Sequence, residues 1–137
     1  MLQLRYVAAI ALLAIAPSIA GAASSWQPAT VTAVSAGVAS KSTFVIQAQV
    51  TLPQSCDLAR IRTYEMNSQL HRSFIVEQMP PSSPCSQPKT AYKCTVVSRA
   101  FNLPITHTFD VESKGQTSKV ALAMEKPTPV EPMCKSS

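Results

Sequence analysis

Between Phe44 and Leu52 the apolar residues Phe44, Ile46, Ala48, Val50 and Leu52 fall on every second position, with Gln47, Gln49 and Thr51 among those between. Successive side chains of a strand point to opposite faces, so this period predicts a strand with one dry and one wet face. Pro53 ends it, because proline has no N–H to give to a ladder. Cys56 follows, where a strand end can be tied to another segment. Few other stretches constrain the fold as strongly. A chain with this strand at its centre must find a second apolar layer to cover Phe44, Ile46, Ala48 and Val50.

Further alternating stretches supply that layer. Thr30–Ser35 reads as a first, edge-type strand rich in β-branched residues, and 36–41 as a turn. Residues 60–78 read as a hairpin, in which Arg60 and Arg62 share one face and Arg72, Phe74 and Val76 share another. Tyr92–Leu103 is a long strand with Cys94 and Val96 on one side. His107, Phe109 and Val111 alternate with Thr106, Thr108 and Asp110. The turn 112–116 then carries Gly115 into a last strand whose dry face is Val120, Leu122 and Met124. Residues 79–88 hold four prolines, which exclude helix and sheet, so this is a loop. Lys126–Pro132 is an extended, polyproline-like tail. No helical period occurs outside the N-terminal leader.

That leader is one positive charge at Arg5, an uncharged apolar run from Val7 to Ala16, then Pro17 and small residues to Ala23. The pattern predicts a secretory signal peptide. The run is too short for the roughly 20 residues of a membrane span. The chain therefore divides into a signal peptide (1–23), a β-domain (24–126) and a Pro-rich C-terminal tail (127–137). The expected location is secreted or periplasmic, with no stable membrane insertion after cleavage.

All four cysteines, Cys56, Cys85, Cys94 and Cys134, lie in the exported part. In an oxidising compartment an even number reads as two disulfides, for which three connectivities exist. The preferred one is Cys56–Cys85 with Cys94–Cys134. Each would close a loop of about 30 to 40 residues and stabilise by about 3–4 kcal/mol. No C-x-x-C pair offers a metal site. Four methionines, Met66, Met79, Met124 and Met133, and the two histidines have no copper-binding spacing. No metal or cofactor is expected.

The exported part carries eleven basic and seven acidic side chains, spread along its length. Diffuse positive charge favours solubility; nucleic-acid binding needs clustering, and none is expected. His107 with Asp110 and a serine could form a hydrolytic site on paper, but no G-x-S-x-G elbow is present. No catalytic residue is assigned. Two features could bind a partner. Arg60 and Arg62 place two guanidinium groups on one strand face, able to meet carboxylates; Asp57, Glu65 and Glu77 lie close enough in sequence to neutralise them. The loop bearing Pro80, Pro81 and Pro84 is rigid and anchored at Cys85, so ordering it against a partner costs little entropy.

The layout resembles secreted bacterial immunoglobulin-like or fibronectin-III-like modules, on the strand Phe44–Leu52 running into Cys56, the Pro84-Cys85 loop, and the final pair around Phe109 and Val120. The resemblance implies an antiparallel β-sandwich of about seven strands over residues 29 to 125. It departs at Trp26, which precedes that span instead of lying between paired cysteines. It implies a scaffold that presents loops, and no catalytic residues. The expected function is an exported, non-enzymatic binding or structural module of the cell envelope or extracellular space, with a protein as the expected partner. A small inhibitor of a protease or cell-wall lytic enzyme is the alternative.

Overall fold

The computed structural model describes residues 25–67, 71–103 and 106–136, without the side chains of 64–67 and 71. The expected signal peptide and its expected cleavage site, the turn residue Ser68, Leu70 and Pro104 lie outside the described residues, as do the side chains of Tyr64, Glu65, Met66 and His71. Eight strands form, and no helix occurs among the described residues. They are β1 (Gln27–Pro28), β2 (Thr30–Val38), β3 (Thr43–Leu52), β4 (Leu58–Asn67), β5 (His71–Met79), β6 (Tyr92–Phe101), β7 (Thr108–Ser113) and β8 (Gln116–Ala123).

β3 is central, as its alternation demands. It pairs antiparallel with β2 on one edge and with β6 on the other. Phe44, Ile46, Ala48, Val50 and Leu52 are all buried to 1 % exposure or less. They pack against a facing layer from β4, β5 and β7 that contributes Ala59, Ile61, Phe74, Val76, Phe109 and Val111. Phe44 of one layer meets Phe74 and Phe109 of the other, at centroid distances of 6.1 and 5.6 Å, and Phe74 and Phe109 stand 5.3 Å apart. Edge-on and tilted contacts suit the quadrupoles of the rings.

The two layers are joined into one curled sheet. The order along it is β1-β5-β7-β8-β2-β3-β6, with β4 on the other edge of β5. β7 and β1 share one edge of β5, at Ser73–Ile75 and at Glu77–Gln78. β8 first pairs with β7, then reaches across to β2 at Leu122 and Ala123. The β5–β7 and β2–β8 pairs are parallel, so the sheet is mixed and not the purely antiparallel one expected. Strand β2 also runs on to Val38, through the positions expected to turn.

The C-terminal segment is extended and tied back at Cys134, as expected, but it also crosses the sheet. After β8 the chain crosses the outer face of β2 at Gly37, where a methyl group would overlap the carbonyl oxygen of Glu125. Val130–Pro132 then line a shallow cleft with Thr32, Gln49, Lys93 and Thr95. At the free edge of β6, Thr95 N–H donates to Pro132 and Cys134 N–H donates to Thr95, both at 2.9 Å. One residue on, Ala59 N–H of β4 donates to Lys135 at 2.9 Å. The tail is thus a strap that bridges the two outermost strands, β4 and β6. The outer face of the β3–β6 pair is dry in part: Val45 and Gln47 of β3 and Thr95 of β6 are buried at 1, 8 and 1 % exposure.

Both expected disulfides are present. Cys56–Cys85 has a Cα separation of 5.8 Å, and Cys94–Cys134 one of 5.0 Å. The first anchors the Pro-rich loop to the turn before β4; the second pins the strap to β6. With no free cysteine, the chain is one that folds under oxidising conditions. No helix among the described residues is long and apolar enough to cross a membrane.

Two further expectations fail at strand ends. Met124, read as part of the dry face, is 88 % exposed, because β8 stops at Ala123 and the chain turns toward the strap. His107, read as a strand residue, lies in the turn before β7 with φ of 52°. There its carbonyl accepts the Leu122 N–H at 2.8 Å, which ends the regular ladder.

Candidate binding face on β4 and β5

The pairing of β4 with β5 sets Arg60 directly opposite Glu77. Because side chains alternate across a strand, Arg62 lies on the same face, one step along. The structure brings all three together. Arg60 Nε donates to Glu77 Oε2 at 2.8 Å, and Arg62 Nε donates to the same oxygen at 2.9 Å. Arg62 Nη2 reaches Oε1 at 2.8 Å, so Arg62 grips the carboxylate with two donors. The Glu77 side chain is 5 % exposed, whereas those of Arg60 and Arg62 are 36 and 43 % exposed. The carboxylate is the buried hinge and the two guanidinium groups are the surface.

Trp26 completes the ladder. Its ring lies 4.0 Å from the Arg60 guanidinium carbon, a cation–π stack. Sequence reasoning placed Trp26 ahead of the sandwich span 29–125, but it leads directly into β1, which pairs with β5 at Gln27 and Pro28. The signal that could have found it was the Trp26-Gln27-Pro28 run, an aromatic beside a short edge segment. Of the acids expected to neutralise the arginines, Glu77 does so. Asp57 instead closes its own turn, accepting from Gln54 N at 3.2 Å and Gln54 Nε2 at 3.1 Å.

Burial pushes the Glu77 carboxyl up, but the hydrogen bonds and charges of Arg62 and Arg60 outweigh it and hold it below the ordinary carboxylate value. A group with a lowered folded value stabilises the fold at pH above its unfolded value, about 4. That stabilisation fades as pH falls through the lower folded value. Glu77→Gln is therefore expected to destabilise at neutral pH by about 1–2 kcal/mol, a modest cost because the arginine partners stay partly solvated. The difference between variant and wild type should shrink in urea titrations repeated toward pH 3. A difference that stays constant with pH would assign the role of Glu77 to packing.

The Pro-rich loop leaves the same end of the β4–β5 pair, since Leu58 opposes Met79 and Pro80 follows. Pro80 and Pro84 are exposed and Pro81 half-buried. Between the loop and β1 lies a cleft of about 340 Å³, lined by Gln27, Gln54, Asp57, Gln78, Pro80 and Lys89. The residues singled out from sequence thus share one end of one strand pair.

Nothing in the described residues groups three or more metal-ligating side chains. His107 is exposed on its turn, while Asp110 is half-buried on β7. No family model matches the chain, and no curated protein or solved structure is significantly similar to it.

Proposed function

We propose that the protein is a secreted or periplasmic, non-enzymatic module that binds an acidic surface of a partner protein through Arg60, Arg62 and the adjoining stapled loop. The observation that carries this is the clamping of both arginines by one buried carboxylate. An exposed arginine ordinarily loses side-chain entropy when it pairs. Here Glu77 and Trp26 have already restricted the pair, so less is lost on binding a partner carboxylate. Glu77 is shared between the two guanidinium groups, which are the more exposed members of the cluster. A guanidinium is a planar fork that matches a carboxylate.

The immunoglobulin- or fibronectin-III-like resemblance enters as the scaffold. Its support is the two-layer packing of β2, β3 and β6 against β4, β5 and β7 around the three phenylalanines. Loops held at the end of such a scaffold are frequent binding elements. The leader-like sequence of residues 1–23 and the two disulfides support export.

The test is capture from the envelope fraction of the producing cell, with wild type and two variants run in parallel. Arg60→Ala/Arg62→Ala is expected to lose the partner, and Pro80→Gly/Pro81→Gly/Pro84→Gly to weaken it by about tenfold through added loop entropy. Retention by all three at equal strength would exclude this face.

The loop also favours a second reading. Ser82, Ser83 and Pro84 are exposed immediately before the Cys85 anchor, the build of a segment that enters a cleft. Under this reading the protein inhibits a protease or a cell-wall lytic enzyme. Micromolar inhibition in a panel of such enzymes, abolished by the triple glycine variant, would favour it over the envelope-module reading.

A further inference from the structure

The curled sheet has two seams, and only one is filled. The β4–β6 seam is bridged by the strap. At the other, β2 and β8 are joined only at Ala36–Leu122 and Gly37–Ala123. From there toward Thr30 and Gln116 the two strands diverge. β2 gives one edge to β3 and β8 gives one edge to β7; their remaining edges face each other. Between them is a cleft of about 500 Å³ lined by both strands.

The lining suits a peptide backbone. On the β2 side are Val31, Ala33 and Val34; on the β8 side are Ser118, Val120 and Ala121. Val31 and Val34 pack against the core and Val120 belongs to it, so the floor is apolar. The small residues leave room for main chain to approach the edges. Strand β2 contains no charge and no proline, and so lacks the usual devices that keep a free edge from pairing.

Charge selects the occupant. Lys119 is the one charged residue of the lining, and Lys114 is exposed at the turn that opens the cleft. Asp110 opposes Lys119 on β7 but does not line the cleft. No carboxylate lies in the lining. A second copy pairing through β8 would set Lys114 and Lys119 against their equivalents, and β2 of a second copy has no carboxylate to offer. We infer that the β2–β8 cleft accepts an extended, carboxylate-bearing segment of another polypeptide, held by main-chain pairing to the two free edges with alternate apolar residues on the valine floor. The surface is separate from the arginine face on β4 and β5.

The probe is the peptide acetyl-Thr-Val-Glu-Val-Thr-Val-Glu-Val-amide, added to isotope-labelled protein with amide exchange read by NMR. Saturable micromolar binding is expected, with slowed exchange confined to residues 31–35 and 118–121. An analogue N-methylated at alternate residues should not bind. Lys119→Glu and, independently, Ala33→Glu are expected to weaken binding by about five- to tenfold, the size of a reversed surface ion pair. Both positions are exposed, so the fold should tolerate them. Arg60→Ala/Arg62→Ala should bind the peptide as wild type does, which separates this proposal from the proposed function. No protection at millimolar peptide would overturn it, as would equal binding of the N-methylated analogue. Equal affinity in both glutamate variants would overturn the acidic occupant. Protection of the same amides without peptide, rising with protein concentration, would replace the peptide with a second copy.

Discussion

Phe44→Ala is expected to remove about 3–5 kcal/mol of stability, the range for deleting a fully buried phenylalanine. Phe44 has no exposed surface and is the single ring that β3 contributes to the three-ring contact between layers. Its loss leaves Phe74 and Phe109 facing a void that neither can fill from the opposite layer. Collapse is resisted because β3 is held by ladders on both edges, so the cavity cost stays near the upper part of the range. Against the roughly 5–15 kcal/mol that holds a domain of this size together, such a loss is a large share. Urea denaturation followed by fluorescence should show a midpoint well below wild type. Val130→Ala, at a residue 51 % exposed, is the control and should move it by less than about 0.5 kcal/mol. A loss below about 1 kcal/mol for Phe44→Ala would mean that the two layers do not meet through this ring.

The second large effect concerns the strap. Replacing Cys94 and Cys134 together by serine removes a crosslink spanning 40 residues. In the chain-entropy model this costs about 4 kcal/mol. Cys56→Ser/Cys85→Ser, with a span of 29 residues, should cost almost as much by the same model. The two differ in where the structure opens. Without Cys94–Cys134 the strap is held mainly by the bonds of Thr95, Cys134 and Ala59. Amide exchange at Ala59 and Thr95 should then accelerate beyond the global loss of stability, and the outer face of β3 at Val45 and Gln47 should become accessible. Without Cys56–Cys85 the acceleration should fall on the turn before β4 and the Pro-rich loop, leaving Thr95 protected. Identical exchange patterns in the two variants would show that the strap does not seal the β4–β6 seam by itself.

The arginine face divides sharply between what sequence showed and what it hid. That Arg60 and Arg62 share a face follows from their spacing on any strand. That Glu77 binds both does not, because it depends on the register that sets Arg60 opposite Glu77, seventeen residues on. A hairpin with the pairing slipped by one residue would have turned Glu77 to the opposite face from the arginines. Trp26 was hidden for a related reason: a two-residue strand has no period to detect, and its place beside β5 is decided by the edge that β7 leaves free. The loop was legible because four prolines forbid the alternatives whatever surrounds them.

Alternation alone determined that Phe44–Leu52 is a strand and which of its faces is dry, because the two faces of a pleated strand are set by local geometry. Cysteine number, in a chain whose leader reads as an export signal, pointed to two disulfides for a chemical reason that is equally local. Tertiary structure alone decided that the sheet is mixed, that its ends are bridged by a proline-rich strap, and that one seam is left open between β2 and β8. Those outcomes depend on which free edges meet in space, and a backbone N–H or C=O carries no residue identity by which a sequence could announce its partner.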